Sequence, residues 1–209
     1  MTNIFKDVLR FGLCGILTAI LLASGGLSSE SSVPDPSEQE ISSSKPIIFK
    51  LKPERKDGRG YKLVYLVDAP LDVFWKFKTD FDNQFLLSNK FITAHRIIRR
   101  TQNGVITESE YANKPKTKFK WQTTLFPDQH LLKFILLNPE QCGQKYHYGH
   151  IQLEPLGFRT RVTQVAYFDF FGVSIWVNYP FYGGMSYFLN YTATWEQQTI
   201  LTLKDKYEE

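Results

Sequence analysis

Four histidines, two glutamates on one run and a small cluster of arginines are the residues of this sequence whose types invite chemistry. His147 and His150 stand three apart in a stretch that alternates like a strand, so they point to opposite faces and cannot share a metal ion. His95 and His130 fall on other predicted strands, with no carboxylate at a fixed short spacing, and read as surface or hydrogen-bonded histidines. His147 shares a face with Ile151 and Leu153 and is the histidine best placed to look inward. Glu108 and Glu110 read as a solvated pair, because they oppose Val105, Thr107, Ser109 and Tyr111. Arg96, Arg99, Arg100 and Lys90 read as a solvated basic face, without the interleaved aromatic stripe that nucleic-acid binding uses. Glycine pairs stand only at Gly25-Gly26 and Gly183-Gly184, which gives no phosphate-cradling loop. No serine occupies a nucleophile-elbow pattern. Cys14 and Cys142 supply no zinc ligand set, and removal of a leader carrying Cys14 leaves no internal disulfide. The residues thus indicate no catalytic constellation, no metal, no cofactor and no nucleic acid.

The elements that position these residues are strands first and one long helix last. Tyr61 to Val67 is a strand halted by Asp68-Ala69-Pro70, and Asp68 is the candidate cap of a short helix with Val73, Phe74 and Phe77 on one face. A second short helix is read around Phe85, Leu86 and Leu87. Three hairpins follow, turning at Asn103-Gly104, at Pro127-Asp128 and over Glu154 to Gly157. From Phe181 to Lys206, Met185, Phe188, Leu189, Thr192, Trp195, Thr199 and Leu203 form one helical stripe that should face the sheet. Glu196, Gln197, Lys204 and Asp205 should be more exposed. Trp195 is the largest body on that stripe, expected against the sheet as core or as a cavity wall.

The N-terminus reads as an address. Lys6 and Arg10 precede an apolar run from Phe11 to Ala23, and small residues follow to Gly26. That is the layout of a secretory signal, and the run is short for a spanning helix, which needs about 20 residues. An uncleaved anchor is the alternative, and both place the chain outside the cytoplasm, periplasmic or membrane-anchored. Residues 27–45 are Ser-rich, acidic and Pro-punctuated, and read as a disordered linker. The remainder, 46–209, carries 22 basic and 16 acidic residues. That modest excess makes an anionic membrane surface a candidate partner.

Aromatic residues make up 15% of the chain, enough for a large apolar core or a large apolar cavity. The strand running into an Ala-Pro step and a Trp-bearing helix (Val67 to Trp75), the three hairpins, and the closing helix ending Tyr191 to Gln198 together resemble the START / birch-pollen-allergen superfamily, the polyketide-cyclase-like or helix-grip (SRPBCC) proteins. The resemblance spans about residues 58–206. It implies an α+β helix-grip fold: a seven-stranded bent antiparallel sheet wrapped around a long C-terminal helix, with two short helices after the first strand. It also favours a cavity over a filled core. Alternation puts Phe158, Thr160, Val162, Gln164, Ala166, Phe168 and Phe170 on one face, and Phe119, Trp121, Thr123 and Leu125 on another inner face. The candidate cavity residues are Tyr111, Trp121, Thr123, His147, Gln164, Phe168, Met185, Phe188, Thr192 and Trp195. Gly183-Gly184 would give the helix start a flexible entrance. The expected function is non-enzymatic binding or carriage of a lipid or other hydrophobic small molecule. The alternatives are a polyketide cyclase or dehydratase-like enzyme using Tyr111, His147 and Gln164, and a ligand-free protein-interaction adaptor.

Overall fold

The computed structural model describes residues 36–37, 41, 45–53, 58–82, 84–112, 114–170 and 184–208. The signal or anchor segment, most of the Ser-rich linker and Gly183 lie outside the described residues. Ile41, inside the segment read as linker, is buried against Val64 and Leu66.

Eight strands form one antiparallel sheet: β1 (Ile47–Leu51), β2 (Arg59–Val67), β3 (Ile92–Thr101), β4 (Gly104–Tyr111), β5 (Lys114–Phe126), β6 (Leu131–Leu136), β7 (Gln144–Leu156) and β8 (Arg159–Phe170). Their order is β1-β2-β8-β7-β6-β5-β4-β3. The sheet has one strand more than the seven expected, because Ile47 to Leu51 pairs as an edge strand on β2. β2 therefore has neighbours on both sides and is apolar on both faces. Leu63, Tyr65 and Val67 join the main core, while Val64 and Leu66 pack under Ile47, Phe49 and Leu156.

Between β2 and β8 in sequence, the chain places helix α1 (Leu71–Thr79) and a 3₁₀ turn (Gln84–Ser88) before β3. α1 starts after Pro70, and Asp68 is exposed and makes no capping bond, contrary to the sequence reading. The Thr160 hydroxyl instead fixes the Ala-Pro step by donating to the Ala69 carbonyl at 2.8 Å. Val73, Phe74 and Phe77 are buried, as their spacing predicts. The β7–β8 turn is tighter than expected: Leu156 faces Arg159, and Gly157 takes the left-handed φ of +59° that the first turn position requires. Phe158 is therefore a turn residue, 91% exposed, and not the inward-facing side chain that alternation suggested.

Helix α2 (Gly184–Glu208) closes the fold, and its burial is rotated from the expected stripe. Leu189, Ala193, Glu196, Ile200 and Tyr207 are buried, whereas Thr199 is half-buried. Gln197 was expected outside and is half-buried, donating to the Leu66 carbonyl at 2.7 Å. Glu196 is the clearest correction, at 5% exposure. Its carboxylate accepts from the Tyr65 hydroxyl of β2 and forms an ion pair with Lys78 of α1. A buried carboxylate carries a large desolvation cost, which these two donors offset. Burial and the Glu196 charge push the Tyr65 phenol well above its ordinary range, so it remains a donor. Further along, Lys206 pairs with Asp80 at 3.0 Å and the Tyr207 hydroxyl donates to the same carboxylate at 2.8 Å.

Removing Glu196 leaves Lys78 and the Tyr65 hydroxyl in the interior without their acceptor. Glu196→Ala should cost about 3–5 kcal/mol, read from the shift in urea midpoint at constant slope. A loss below about 1 kcal/mol would mean that the buried pair does not hold the helix.

Candidate functional site

β2 and β3 lie six strand spacings apart in the sheet, about 29 Å if it were flat. Yet Tyr61 of β2 and His95 of β3 line one interior space of about 350 Å³. The sheet must therefore curl, and α2 lies across its open side. Every strand from β2 to β8 contributes to the lining, while Tyr65 and Val67 of β2, Leu153 of β7 and Val162 of β8 lie beyond it. The cavity thus occupies one end of the curled sheet. At the other end, Val73 and Phe74 of α1 join Leu153 and Val162 in the core.

All ten sequence-derived candidates lie on this wall. From the sheet come Tyr111, Trp121, Thr123, His147, Gln164 and Phe168. From α2 come Met185, Phe188, Thr192 and Trp195. The helix therefore carries two neighbouring stripes, one facing the cavity and one, through Leu189, Ala193 and Ile200, entering the core. Of the two expected roles, Trp195 takes the cavity-wall one. Its ring stacks on Phe85 at 5.7 Å, and its indole N–H donates to the Ser88 hydroxyl at 3.0 Å.

His147 stands among aromatic rings, edge-on to Trp121 at 4.9 Å and tilted against Phe168 at 5.2 Å. Its Nδ1–H donates to Gln144 Oε1 at 3.1 Å, which leaves Nε2 as the acceptor nitrogen. Burial lowers its pKa to about 3, so the ring is neutral at pH 7. Tyr111 packs edge-on against Phe119 at 4.9 Å. Burial raises the Tyr111 phenol to about 12, although Ser109 and Trp121 beside it act in the opposite direction. The Trp121 Nε1 stops short of a completed hydrogen bond, and the buried Thr192 hydroxyl also has no partner among the described residues. Cys142, another lining residue, is pushed to about 11 by burial, partly offset by Lys114.

Sequence reasoning missed several members of the wall. His95 lines it, donating from Nε2 to the Phe81 carbonyl at 3.1 Å and accepting at Nδ1 from Ser109 at 2.9 Å. Burial is the main cause that lowers the His95 pKa. Phe81 and Phe85 continue the four-residue spacing of Phe77, a signal that the sequence did carry. Glu108 faces outward as expected but is covered rather than solvated: Arg96 lies at 2.7 Å and Lys118 at 3.6 Å from its carboxylate. Those cations hold its pKa below the usual range, despite the opposing effect of burial. Among the described residues, no group of three metal-ligating side chains comes together.

No family model matches the chain, and no curated protein matches it. Solved structures do. Norcoclaurine synthase from Thalictrum flavum, as a point mutant with a transition-state analogue, superposes with a TM-score of 0.53 at 14% identity, covering 70% of this chain and 96% of that one. The same enzyme in complex with dopamine and hydroxybenzaldehyde gives 0.52 at 13%, covering 81% and 95%. An aromatase/cyclase from Streptomyces sp. R1128 gives 0.49 at 13%, covering 72% and 88%. At such identities the likeness to norcoclaurine synthase speaks for architecture, and it agrees with the single antiparallel sheet, the short helix and the long closing helix described above. The chain has the α+β helix-grip fold, one antiparallel sheet closed by a long C-terminal helix.

Proposed function

We propose that the protein binds and carries one lipid or other hydrophobic small molecule in this cavity, outside the cytoplasm and without changing it chemically. The observation that carries the reading is an aromatic wall on which His147 and Tyr111, the groups that could move protons, are held neutral by burial. A general acid or base works best with a pKa near the operating pH. His147 at about 3 is a weak base and Tyr111 at about 12 a weak acid, so both serve as fixed hydrogen-bonding groups. The volume, about 350 Å³, falls at the lower end of the roughly 300–1,000 Å³ of small-molecule pockets and suits a single compact molecule. The location rests on the sequence of residues 1–26, and recovery of the protein from the envelope fraction rather than the cytosol tests it.

Denaturing the purified full-length protein and analysing the released small molecules by mass spectrometry should yield a hydrophobic compound in about one-to-one ratio. An empty protein that also ignores added hydrophobic compounds would contradict the reading, and conversion of the added compound would replace carriage with catalysis. Trp195→Ala should weaken binding of that compound several-fold and cost less than the about 3–5 kcal/mol of a core Trp. A full core-sized loss with unchanged binding would place Trp195 in the core.

The neutral wall also sets a pH dependence. The folded pKa of His147, about 3, lies below the ordinary value of 6.5, so the unfolded chain binds a proton that the folded chain refuses. Stability should therefore be fully present above about pH 6.5 and fall progressively toward pH 3. His147→Phe should lose less of its urea midpoint than the parent protein between pH 7 and pH 4.5. Equal losses would show that His147 is not held neutral by the fold.

A further inference from the structure

Four charged side chains line the cavity among the described residues: Lys78, Asp80, Lys114 and Glu196. Three of them are compensated. Lys78 and Glu196 pair with each other, and Asp80 pairs with Lys206. Lys114 meets no carboxylate among the described residues. Its ammonium donates to the Cys142 carbonyl at 2.5 Å, which uses one of its three N–H bonds and leaves two.

The backbone explains why a lysine looks inward here. The β4–β5 register jumps from Glu110 opposite Lys118 to Tyr111 opposite Lys114. Residues 115–117 therefore bulge out of β5, and Lys116 takes a left-handed φ of +66°. Beyond the bulge, the odd-numbered Phe119, Trp121 and Thr123 face the cavity. The three extra residues reverse the phase, so the even-numbered Lys114 shares their face. Directly opposite residues of an antiparallel pair project on the same side, with Cβ atoms about 4.5–5.5 Å apart. Tyr111 and Lys114 are such a pair, and both line the aromatic cavity.

We infer that the ligand is an amphipathic carboxylate, whose apolar body fills the aromatic cavity and whose carboxylate is held by the Lys114 ammonium and the Tyr111 hydroxyl. This inference rests on the binding function proposed above and names the chemical class of what is bound. A carboxylate removed from water needs a charged, hydrogen-bonding partner, and a half-buried ammonium with unused donors supplies one. Tyr111 keeps its proton at neutral pH and adds a second donor, so the two carboxylate oxygens each find a partner.

Decanoate and 1-decanol share a chain and differ in the head, and their affinities can be compared by calorimetric titration into the full-length protein at pH 7.5. Lys114→Met keeps the apolar stem and removes the charge. It should weaken decanoate about ten-fold or more while leaving 1-decanol within about two-fold, and Lys114→Arg should restore most of the difference. In the parent protein, about 0.5 M salt should weaken decanoate and spare 1-decanol, a readout that does not depend on any variant folding. Equal weakening of both compounds in Lys114→Met, or a salt response common to both, would overturn the inference and leave the binding function standing. If neither compound binds the parent protein, and no other hydrophobic compound does, the binding function fails and the inference with it.

Discussion

A carboxylate buried beneath a helix holds this fold closed. Glu196 sits in the core stripe of α2 and reaches two elements far away in sequence, β2 through Tyr65 and α1 through Lys78. Sliding α2 by one turn, about 5.4 Å, would pull the carboxylate from both partners and strand a buried charge. Apolar contacts alone tolerate such a slip, since one aliphatic side chain replaces another. The ionic contact does not. The helix is thereby committed to one register over the sheet, and Asp80 with Lys206 and Tyr207 repeats the restraint near its C-terminal end.

Everything in the cavity follows from that commitment. With Leu189, Ala193 and Ile200 set into the core, the next stripe of the same helix is turned toward the open end of the sheet. Met185, Phe188, Thr192 and Trp195 then face Trp121, His147 and Phe168 across a space that no side chain fills. Phe85 and Ser88 of the 3₁₀ turn brace Trp195 from the side, by ring stacking and a hydrogen bond. Such bracing matters for binding, because a side chain already held in place has less conformational freedom to lose when a ligand enters.

Much of this was legible in the sequence because strand alternation is a strict rule. It put Tyr111, Trp121, Thr123, His147, Gln164 and Phe168 on inner faces, and all six line the cavity. Alternation failed where the chain departs from a plain strand. The tight turn at Gly157 removed Phe158 from β8, and the bulge at 115–117 turned Lys114 inward. The helix was harder to read. The Met185–Trp195 stripe carries the larger apolar side chains, so it looked like the sheet-facing side. The core stripe hides a glutamate, whose charge argues for solvent unless the distant Lys78 and Tyr65 are known. A local signal was present all the same: Leu189, Ala193 and Ile200 recur at four- and seven-residue spacing and frame Glu196. Edge strand β1 was missed because five residues beside a polar segment read as a lead-in.

The central claim is that the space between the curled sheet and α2 is a ligand site and not a packing flaw. A crystal of the full-length protein soaked with a terminally brominated ten-carbon alcohol or acid tests it directly, through the anomalous signal of bromine. The account predicts one strong peak inside the cavity, among Trp121, His147, Phe168 and the Phe188–Trp195 face of the helix. Side chains collapsed into that space, with bromine found only on the outer surface, would contradict it.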